Sequence, residues 1–368
     1  MQTKVLSYWE QQSFDRAYDL IVIGAGIVGL STAYFYQRSH PKARVLVLER
    51  GFYPEGASTR NAGFACFGSI TELLDDIKTE PESEVKARMV RRYRGLELLR
   101  NELGAGTIQF SATGGYEIFD DQNEYEQALA HIDEFNDWMA HSLSHRNVYS
   151  ADTAGPYPAI KNRLEGSINT GEMMKTLIKK TQDMGVEIRF STPLESYDDQ
   201  SVVVGGGIVL GFNKLLFATN GFSSRLLPEL KIQPARGLVM VSQPIPDHPW
   251  KGVYHYDKGY IYFRDVDGRV LLGGARNIDF EGETTGEFGV NEKIKERLLD
   301  FADRVLNLPK GWSIDYEWSG IMGFAETKSP VIKHLQGRWY IAAGLGGMGV
   351  AMGMGLGKEA ASMLTVPV

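Results

Sequence analysis

Three glycines near the start of the 368-residue chain have the spacing of a phosphate-binding loop. Gly24, Gly26 and Gly29 follow a short apolar run and open a helical pattern that begins with Ile27 and Val28. In such a loop the first glycine permits a tight turn, the second lets a pyrophosphate approach the backbone, and the third lets the helix pack closely on the strand. The helix N-terminus then offers amide groups and a partial positive charge to the phosphates. The pattern predicts a dinucleotide site.

An acidic residue stands where the ribose of a dinucleotide is expected. Glu49 ends the next apolar run, 20 residues after Gly29, and Arg50 follows it. A carboxylate at this point accepts hydrogen bonds from a ribose diol and repels a ribose phosphate, which argues against NADP. These residues alone are compatible with FAD and with NAD, and a loop whose glycines serve only helix packing is the alternative.

Three further segments favour FAD. Residues 218–221 end another apolar strand, and residues 58–63 form a loop directly after the acidic strand. Residues 344–349 are rich in glycine and precede a C-terminal helix, whose positive end would stabilise negative charge on a flavin. We therefore expect FAD to be the cofactor. The predicted cofactor-binding residues are Gly24, Gly26, Ile27, Val28, Gly29, Glu49, Arg50, Ser58, Thr59, Arg60, Asn61, Ala62, Gly63, Leu194, Ala218, Thr219, Asn220, Gly221, Gly320, Gly344, Gly346, Gly347, Met348, Gly349 and Val350.

Alternating strands and helices are predicted to position these loops. Residues 18–23, 27–38 and 44–49 form a strand–helix–strand unit, and the glycine triplet 205–207 is a hairpin turn between two short strands. The other predicted elements are helices at 82–103, 124–141, 172–184 and 350–364, strands at 186–190, 202–204, 208–210, 214–218 and 339–343, and an antiparallel set at 253–256, 259–264 and 270–274.

This order of elements predicts an α/β protein with two interleaved domains. A Rossmann-like FAD-binding domain is expected at residues 1–75, 160–230 and 315–368. A substrate or cap domain is expected at residues 76–159 and 231–314, with an α+β architecture built on an antiparallel or mixed sheet.

Composition excludes several classes of protein. A net charge of −7 with both signs interspersed gives no field that would attract nucleic acid. The single cysteine rules out an intramolecular disulfide, and the spacing of the seven histidines predicts no metal site. Residues 1–20 lack the apolar core of a signal peptide, and residues 339–357 are uncharged but contain seven glycines, which disfavours a transmembrane segment. We expect a cytoplasmic protein that binds a small molecule.

A basic cluster lies on the predicted helix 82–103. It consists of Lys86, Arg88, Arg91, Arg92 and Arg94, and glutamates are interleaved with it. Such mixed charge favours a solvated helix face over an anion-binding patch.

Taken together, the motifs resemble those of FAD-dependent amine and amino-acid oxidases, the D-amino-acid oxidase superfamily that includes glycine oxidase and sarcosine oxidase. The resemblance covers nearly the whole chain, and it includes residues 58–63, 218–221, 234–237, 268–274 and 344–349. It implies a FAD-binding domain of the glutathione-reductase type. It also implies hydride transfer to the flavin from the carbon next to an amine, hydrolysis of the resulting imine, and reoxidation by oxygen or another acceptor.

The chain departs from this family where a substrate carboxylate would bind. Members that act on amino acids usually carry an arginine at the position of Met322, and sarcosine oxidases have a histidine and a lysine at Met348 and Ala351. Either another cation binds the carboxylate, or the substrate is an amine without one. The candidate cations are Arg60, Arg264, Arg276 and Lys328.

The cysteine through which sarcosine oxidases attach flavin is also missing from this part of the chain, which implies noncovalent FAD. The single cysteine, Cys66, is interpreted as a small buried residue.

Tyrosines mark the strands that would roof the flavin in such a fold. Because side chains two residues apart share a strand face, Tyr254 with Tyr256 and Tyr260 with Tyr262 can each line a pocket, and packing within the sheet is the alternative. Tyr260, Tyr262 and Met348 are the candidate catalytic residues.

Two other functions are compatible with the sequence alone. One is an NAD-dependent dehydrogenase with a single Rossmann domain, and the other is a flavin-binding protein without catalysis. The expected function is oxidation of the C–N bond of a small amine or amino acid.

Overall fold

The structure is a computed structural model that describes residues 7–13 and 17–365. The expectation that residues 1–20 contain no signal peptide lies partly outside these ranges. The helices are α1 Tyr8–Ser13, α2 Ile27–Ser39, α3 Ala57–Arg60, α4 Ile70–Ile77, α5 Glu82–Leu103, α6 Gln122–Leu129, α7 Ile132–Leu143, α8 Thr170–Asp183, α9 Ser223–Leu226, α10 Glu292–Arg304 and α11 Gly349–Thr365. The strands are β1 Leu20–Ile23, β2 Val45–Leu48, β3 Phe64–Ala65, β4 Gly115–Ile118, β5 Tyr149–Ala154, β6 Tyr157–Asn162, β7 Gly166–Ser167, β8 Glu187–Arg189, β9 Leu194–Tyr197, β10 Ser201–Val204, β11 Ile208–Gly211, β12 Leu215–Phe217, β13 Gln233–Ser242, β14 Val253–Tyr256, β15 Ile261–Val266, β16 Arg269–Gly274, β17 Ile314–Phe324, β18 Val331–Gln336 and β19 Trp339–Ala343.

A six-stranded sheet carries the predicted dinucleotide-binding unit. Its order is β18-β19-β12-β1-β2-β8, and its pairs are parallel except for β18 with β19. Every residue of β1, β2 and β12 is buried, as expected for strands with both faces covered. The predicted strand–helix–strand unit is therefore confirmed as β1, α2 and β2.

An eight-stranded sheet forms the second layer, in the order β17-β13-β16-β15-β14-β4-β6-β5. Its neighbours are antiparallel except for β4 with β14, so the antiparallel strands predicted between 253 and 274 are confirmed. The predicted hairpin is confirmed as well, because β10 and β11 pair antiparallel across the glycine triplet, with Val204 opposite Ile208.

The sheet assignment shifts two predicted domain boundaries. Strand β17 pairs along its whole length with β13, so residues 315–324 belong to the eight-stranded sheet although they were assigned to the FAD-binding part. Residues 160–162, also assigned to the FAD-binding part, belong to strand β6 of the same eight-stranded sheet. The division into two domains stays a prediction.

The predicted helix at 124–141 is wrong, because the chain forms two helices there. Helix α6 ends at Leu129, and α7 begins at Ile132 and buries Phe135, Trp138 and Met139. Helix α6 buries only Ala128, and Tyr125 packs against Phe119, so the two segments cover different parts of the core. A turn between them lets each segment reach its own contacts.

The glycines of the closing helix serve close helix packing. A Cβ on Gly95 of α5 would lie 1.9 Å from the carbonyl oxygen of Ala351 in α11, and a Cβ on Gly353 would lie 2.5 Å from Cγ2 of Ile27 in α2. Helix α11 therefore packs between α2 and α5 at distances that only glycine allows. Among the residues that the structure describes, no helix is long and apolar enough to cross a membrane.

Candidate active site

A cleft of about 730 Å³ opens where the parallel strands end. Residues at or just beyond the carboxyl ends of β1, β2, β12 and β19 line one side, which is where ligands bind in open α/β sheets. Residues from β13, β15 and β17 of the larger sheet line the other side. The cleft therefore joins the predicted phosphate loop to the predicted aromatic wall.

A Cβ added to any of the three glycines of the loop would crowd a neighbouring atom. Gly24 has a φ of +102°, and a Cβ there would lie 2.8 Å from the carbonyl oxygen of Ala218. A Cβ on Gly29 would lie 2.0 Å from the carbonyl oxygen of Gly24, and one on Gly26 would lie 3.1 Å from Oγ of Ser58. Gly24 and Gly29 thus allow close backbone contacts that hold the turn, while Gly26 keeps the space beside Ser58 clear.

The acidic residue after β2 is fixed by backbone amides. Glu49 is 7% exposed, and its two carboxylate oxygens accept hydrogen bonds from the N–H groups of Ala25 and Gly51, each at 3.0 Å. Ser58 Oγ accepts from the N–H of Ile27 at 2.9 Å, which caps the first turn of α2 from the neighbouring loop. Glu49 and Ser58 therefore hold the phosphate loop in shape, a role that sequence reasoning did not assign to them.

Two asparagines hold the other loops of the cleft. Asn61 Oδ1 accepts from the N–H of Gly63 and from the hydroxyl of Thr170, both at 2.9 Å. Asn220, in a left-handed conformation with a φ of +45°, accepts from the N–H of Gly344 at 3.1 Å. The strand end after β12 and the glycine-rich loop after β19 are thereby joined.

Most of the predicted cofactor residues line this cleft together. They are Gly24, Gly26, Ile27, Val28, Glu49, Arg50, Ser58, Arg60, Asn61, Ala62, Leu194, Ala218, Thr219, Asn220, Gly320, Gly346, Gly347, Met348, Gly349 and Val350. Five others lie behind the wall, namely Gly29, Thr59, Gly63, Gly221 and Gly344.

Close contacts with the backbone set at least three of these residues back from the cleft. A Cβ on Gly221 would lie 2.2 Å from the carbonyl oxygen of Met322, and one on Gly63 would lie 2.5 Å from that of Ile168. Thr59 turns its hydroxyl to the carbonyl oxygen of Pro54, at 2.5 Å. These residues lie behind the cleft lining, and their assignment as cofactor-binding residues stays a prediction.

The four candidate cations fall into different environments. Arg264 is buried outside the cleft wall and donates to the carbonyl oxygens of Gly63 and Ile168 at 3.3 and 3.1 Å, so its selection as a substrate ligand is wrong. Arg60 lines the cleft but donates to the carbonyl oxygen of Ser319 at 3.0 Å. Lys328 also lines the cleft and forms an ion pair with a buried aspartate of α4.

Arg276 differs from the other three. Its guanidinium carbon lies 4.6 and 4.5 Å from the ring centroids of Phe280 and Phe324, and its side chain lines the cleft. Within residues 7–13 and 17–365, the guanidinium makes no hydrogen bond or ion pair. Burial lowers the pKa of Arg276, although an arginine stays charged at any physiological pH.

One of the two tyrosine pairs faces the cleft. Tyr260 and Tyr262 line it, and burial raises the pKa of Tyr262 to about 12. Tyr254 stacks on Phe263 at 4.6 Å, and Tyr256 donates to an exposed aspartate, so packing within the sheet, the alternative stated above, describes this second pair. The pairs differ because Tyr254 lies opposite Phe263 in the ladder, which puts both on the face away from the cleft.

The same alternation places His255 in the cleft wall, where sequence reasoning missed it. His255 lies opposite Tyr262, and its Nε2 is 3.3 Å from Oε2 of Glu165. Glu165 is 1% exposed, and its other oxygen accepts from the N–H groups of Phe67 and Gly68 at 2.8 and 3.2 Å. Burial lowers the pKa of His255, but the hydrogen bond and charge of Glu165 outweigh it, so the net pKa is raised.

Cys66 completes this buried group. Its sulfur and the nearest ligand atoms of Glu165 and His255 lie within 4.8 Å of one another, a grouping that histidine spacing did not predict. Burial raises the pKa of the Cys66 thiol, which disfavours the thiolate that binds metals, and both oxygens of Glu165 already face donors. The group is better described as a hydrogen-bonded histidine–carboxylate pair than as a metal centre.

The basic cluster on α5 is partly buried, which corrects the predicted solvated face. Arg88 and Arg92 are 4% and 3% exposed. Arg88 pairs with Asp76 at 2.7 Å, and Arg92 pairs with Glu72 at 2.8 Å. Carboxylates of α4 and not solvent therefore neutralise these two arginines. Glu72 and Arg92 also line the cleft, so this ion pair forms part of its wall.

Comparisons with known proteins agree with this architecture. The profile of a protein family described as FAD dependent oxidoreductase (DAO) matches residues 19–363. The beta subunit of sarcosine oxidase from Rhodobacter capsulatus is 22% identical over 350 residues, which cover 88% of this chain and 79% of that subunit.

Solved structures show the same fold. Glycine oxidase from Geobacillus kaustophilus superposes with a TM-score of 0.74 at 17% identity, covering 94% of each chain. The L-alpha-glycerophosphate oxidase from Mycoplasma pneumoniae, determined with FAD bound, superposes with a TM-score of 0.75 at 15% identity, covering 96% of each chain.

Proposed function

Because the chain belongs to the DAO family of FAD-dependent oxidoreductases, we propose that it oxidises the C–N bond of a small amine or amino acid. FAD is its cofactor, so the alternative of an NAD-dependent dehydrogenase is set aside. In this reaction the carbon next to nitrogen gives up a hydride, the nitrogen loses a proton, and water converts the resulting imine into a carbonyl compound and the free amine or ammonia.

The cleft fits FAD in shape and in donor chemistry. Gly24 and Gly26 line the cleft, and a Cβ on Gly26 would narrow it by reaching within 3.1 Å of Ser58 Oγ. Val28 stands at the N-terminus of α2, where phosphates bind well. We place Glu49 at the adenosine ribose and the loop at 346–349 beside the flavin. Bound there, FAD supplies the acceptor for the hydride.

The residues near the loop at 346–349, beside which we place the flavin, would position the substrate and exclude water. Phe64 packs edge-on against Tyr262 with centroids 5.2 Å apart, and both line the cleft. The amide groups that open α11 add a partial positive charge beside Met348. We assign Tyr260, Tyr262 and Met348 to the walls of the substrate pocket. His255 lies opposite Tyr262 in the ladder and pairs with Glu165.

One observation carries the proposal: a single cleft contains both the dinucleotide cradle and the aromatic wall of β15. An amine donor is favoured because the relatives named above include sarcosine oxidase and glycine oxidase. The glycerophosphate oxidase neighbour makes an alcohol donor the comparison to test.

The test is anaerobic reduction of the FAD-saturated protein. The amino acids D-alanine, L-alanine and sarcosine are each compared with the amine that lacks the carboxylate, ethylamine for alanine and dimethylamine for sarcosine. Glycerol 3-phosphate serves as the alcohol donor. We expect loss of the visible flavin absorbance with at least one nitrogen donor and formation of its carbonyl product. If dithionite bleaches the flavin and no nitrogen donor does, the proposed reaction is wrong and a flavin-binding role without amine oxidation takes its place.

A further inference from the structure

We propose that Arg276 is the carboxylate clamp of this protein, and hence that the substrate is an amino acid and not a simple amine. This inference rests on the proposed function, because it names the substrate class of the same cleft. Met322 cannot bind a carboxylate, and the proposal assigns this role to an arginine from a different part of the fold.

The other cations of the cleft wall are already engaged or lie elsewhere. Among the described residues, Arg60 donates to a backbone carbonyl, and four more are paired with carboxylates: Arg92 with Glu72, Arg225 with Glu287, Lys258 with Asp75 and Lys328 with Asp76. Arg50 has no such partner, but it is exposed and directly follows Glu49, and its guanidinium covers Phe222 at 4.0 Å. Arg276 is the remaining cation of the described wall, half-buried and without a hydrogen-bond acceptor.

The backbone before Arg276 is built to turn this side chain into the cleft. Gly274 has a φ of +104°, and Ala275 follows with a φ of +56°, an unusual conformation for alanine. A Cβ on Gly274 would lie 1.9 Å from the carbonyl oxygen of Tyr260, and that oxygen accepts from the N–H of Ala275 at 2.6 Å. The end of β16 is thereby tied to the start of β15, next to a tyrosine of the cleft.

The aromatic neighbours hold the guanidinium without offering it a hydrogen-bond acceptor. Phe280 and Phe324 make cation–π contacts with the planar group. Its N–H groups point within that plane, in the fork geometry that matches a carboxylate with two parallel hydrogen bonds. A charged fork with no protein acceptor, in a partly desolvated wall, is a binding group for an anion.

Arg276 also lies close to Met322, the position at which the family usually has an arginine. Met322 and Phe324 are two residues apart on β17 and share a strand face, and both line the cleft. Since Arg276 packs on Phe324, its charge enters the same part of the cleft from the turn after β16 instead of from β17. The substrate carboxylate would then bind beside Phe324.

The test measures ligand binding to the FAD-loaded protein by the change in the flavin spectrum, without turnover. The probes are two carboxylates, acetate and benzoate, each paired with its neutral amide. Arg276→Met is compared with the parent chain and with Arg304→Met, which removes a 74% exposed arginine of α10. We expect both carboxylates to bind the parent more tightly than their amides. We expect Arg276→Met to weaken carboxylate binding by about 30-fold or more, as when one partner of a buried charge pair is lost.

Two further variants separate loss of the clamp from misfolding. Arg276→Lys keeps the charge without the fork and is expected to bind carboxylates at an intermediate level, with the normal FAD content. The double variant Arg276→Met with Met322→Arg returns an arginine to β17 and is expected to recover part of the affinity.

The outcomes decide the two proposals independently. Equal carboxylate affinity in the parent and in Arg276→Met, or a parent that prefers neither carboxylate over its amide, overturns the clamp even if amines reduce the flavin. Loss of carboxylate binding on substitution, in a protein whose flavin no nitrogen donor reduces, upholds the clamp and rejects the proposed reaction.

Discussion

Glu49→Gln tests whether one carboxylate both holds the phosphate loop and binds the cofactor. The carboxylate is 7% exposed, and its two oxygens accept from the N–H groups of Ala25 and Gly51. Glutamine keeps one acceptor oxygen and presents its NH₂ group to the other backbone N–H. One charge-assisted hydrogen bond is lost and a buried donor is left facing a donor, which together cost about 2–4 kcal/mol of the free energy of unfolding.

Two assays separate the roles of Glu49. The midpoint of thermal unfolding of the FAD-free protein should fall by about 3–5 °C, given the entropy of unfolding of a chain of this size. Titration of that protein with FAD, followed by flavin fluorescence, should show a dissociation constant raised by about 10- to 100-fold, because an acceptor for the ribose is lost as well.

A matched control is Glu195→Gln. This carboxylate also accepts a backbone N–H, that of Gly206 at 2.7 Å, but it is exposed and does not line the cleft. It should change stability by less than about 1 kcal/mol and leave FAD binding unchanged. If Glu49→Gln behaves like this control, the carboxylate holds neither the loop nor the cofactor. A loss of stability with unchanged FAD affinity would reject the ribose contact alone.

Three further substitutions test the fold and the pH response. Gly95→Ala should lower the free energy of unfolding, measured in urea, by about 1–3 kcal/mol or more, because its Cβ meets a backbone oxygen of α11 at 1.9 Å. The control Gly106→Ala should not destabilise the protein, because no atom lies near the added Cβ. Arg88→Met should cost about 3 kcal/mol, because the buried Asp76 then keeps only its ion pair with the half-exposed Lys328. Arg91→Met should cost less than about 1 kcal/mol, because Arg91 and its partner Glu359 are more exposed, and equal losses would contradict the buried pairing. A raised pKa for His255 means that the protonated ring stabilises the folded state below about pH 6.5, and that this contribution is lost as the pH rises through the raised pKa. The free energy of unfolding of the parent should therefore fall more steeply above pH 6.5 than that of His255→Gln, and parallel curves would refute the pairing with its buried carboxylate.

The cofactor side of the cleft was predictable because its chemistry is local in sequence. The glycines, their helix and Glu49 belong to one strand–helix–strand unit, in which spacing fixes what each residue must contact. The clash distances at Gly24 and Gly29 are the structural form of those requirements. In the sequence, a glycine such as Gly221 cannot be told apart from a glycine that contacts a ligand. Only the tertiary structure shows that Gly221 packs against the backbone behind the cleft wall.

The substrate side was not predictable in this way, because its residues meet through long-range pairing. His255 and Glu165 are 90 positions apart, and they meet where β14 carries His255 toward the loop that leads into β7. Alternation along a strand shows which tyrosines share a face, but the ladder decides which face borders the cleft. Interleaved charges likewise do not show whether an arginine such as Arg88 meets solvent or a carboxylate from another helix.

The change at Met322 is matched by its surroundings and is not a simple loss. Its Cε lies 3.1 Å from where a Cβ on Gly237 would be, and its sulfur lies 3.6 Å from the corresponding position at Gly347. The methionine therefore fills space that two glycines provide, between β13 and the glycine-rich loop. An arginine at 322 would have to place a charge in this contact, whereas Arg276 brings its charge from the side and stacks on Phe324. Because the two positions share one part of the wall, their substitutions should be non-additive, and the double variant should recover carboxylate binding only in part.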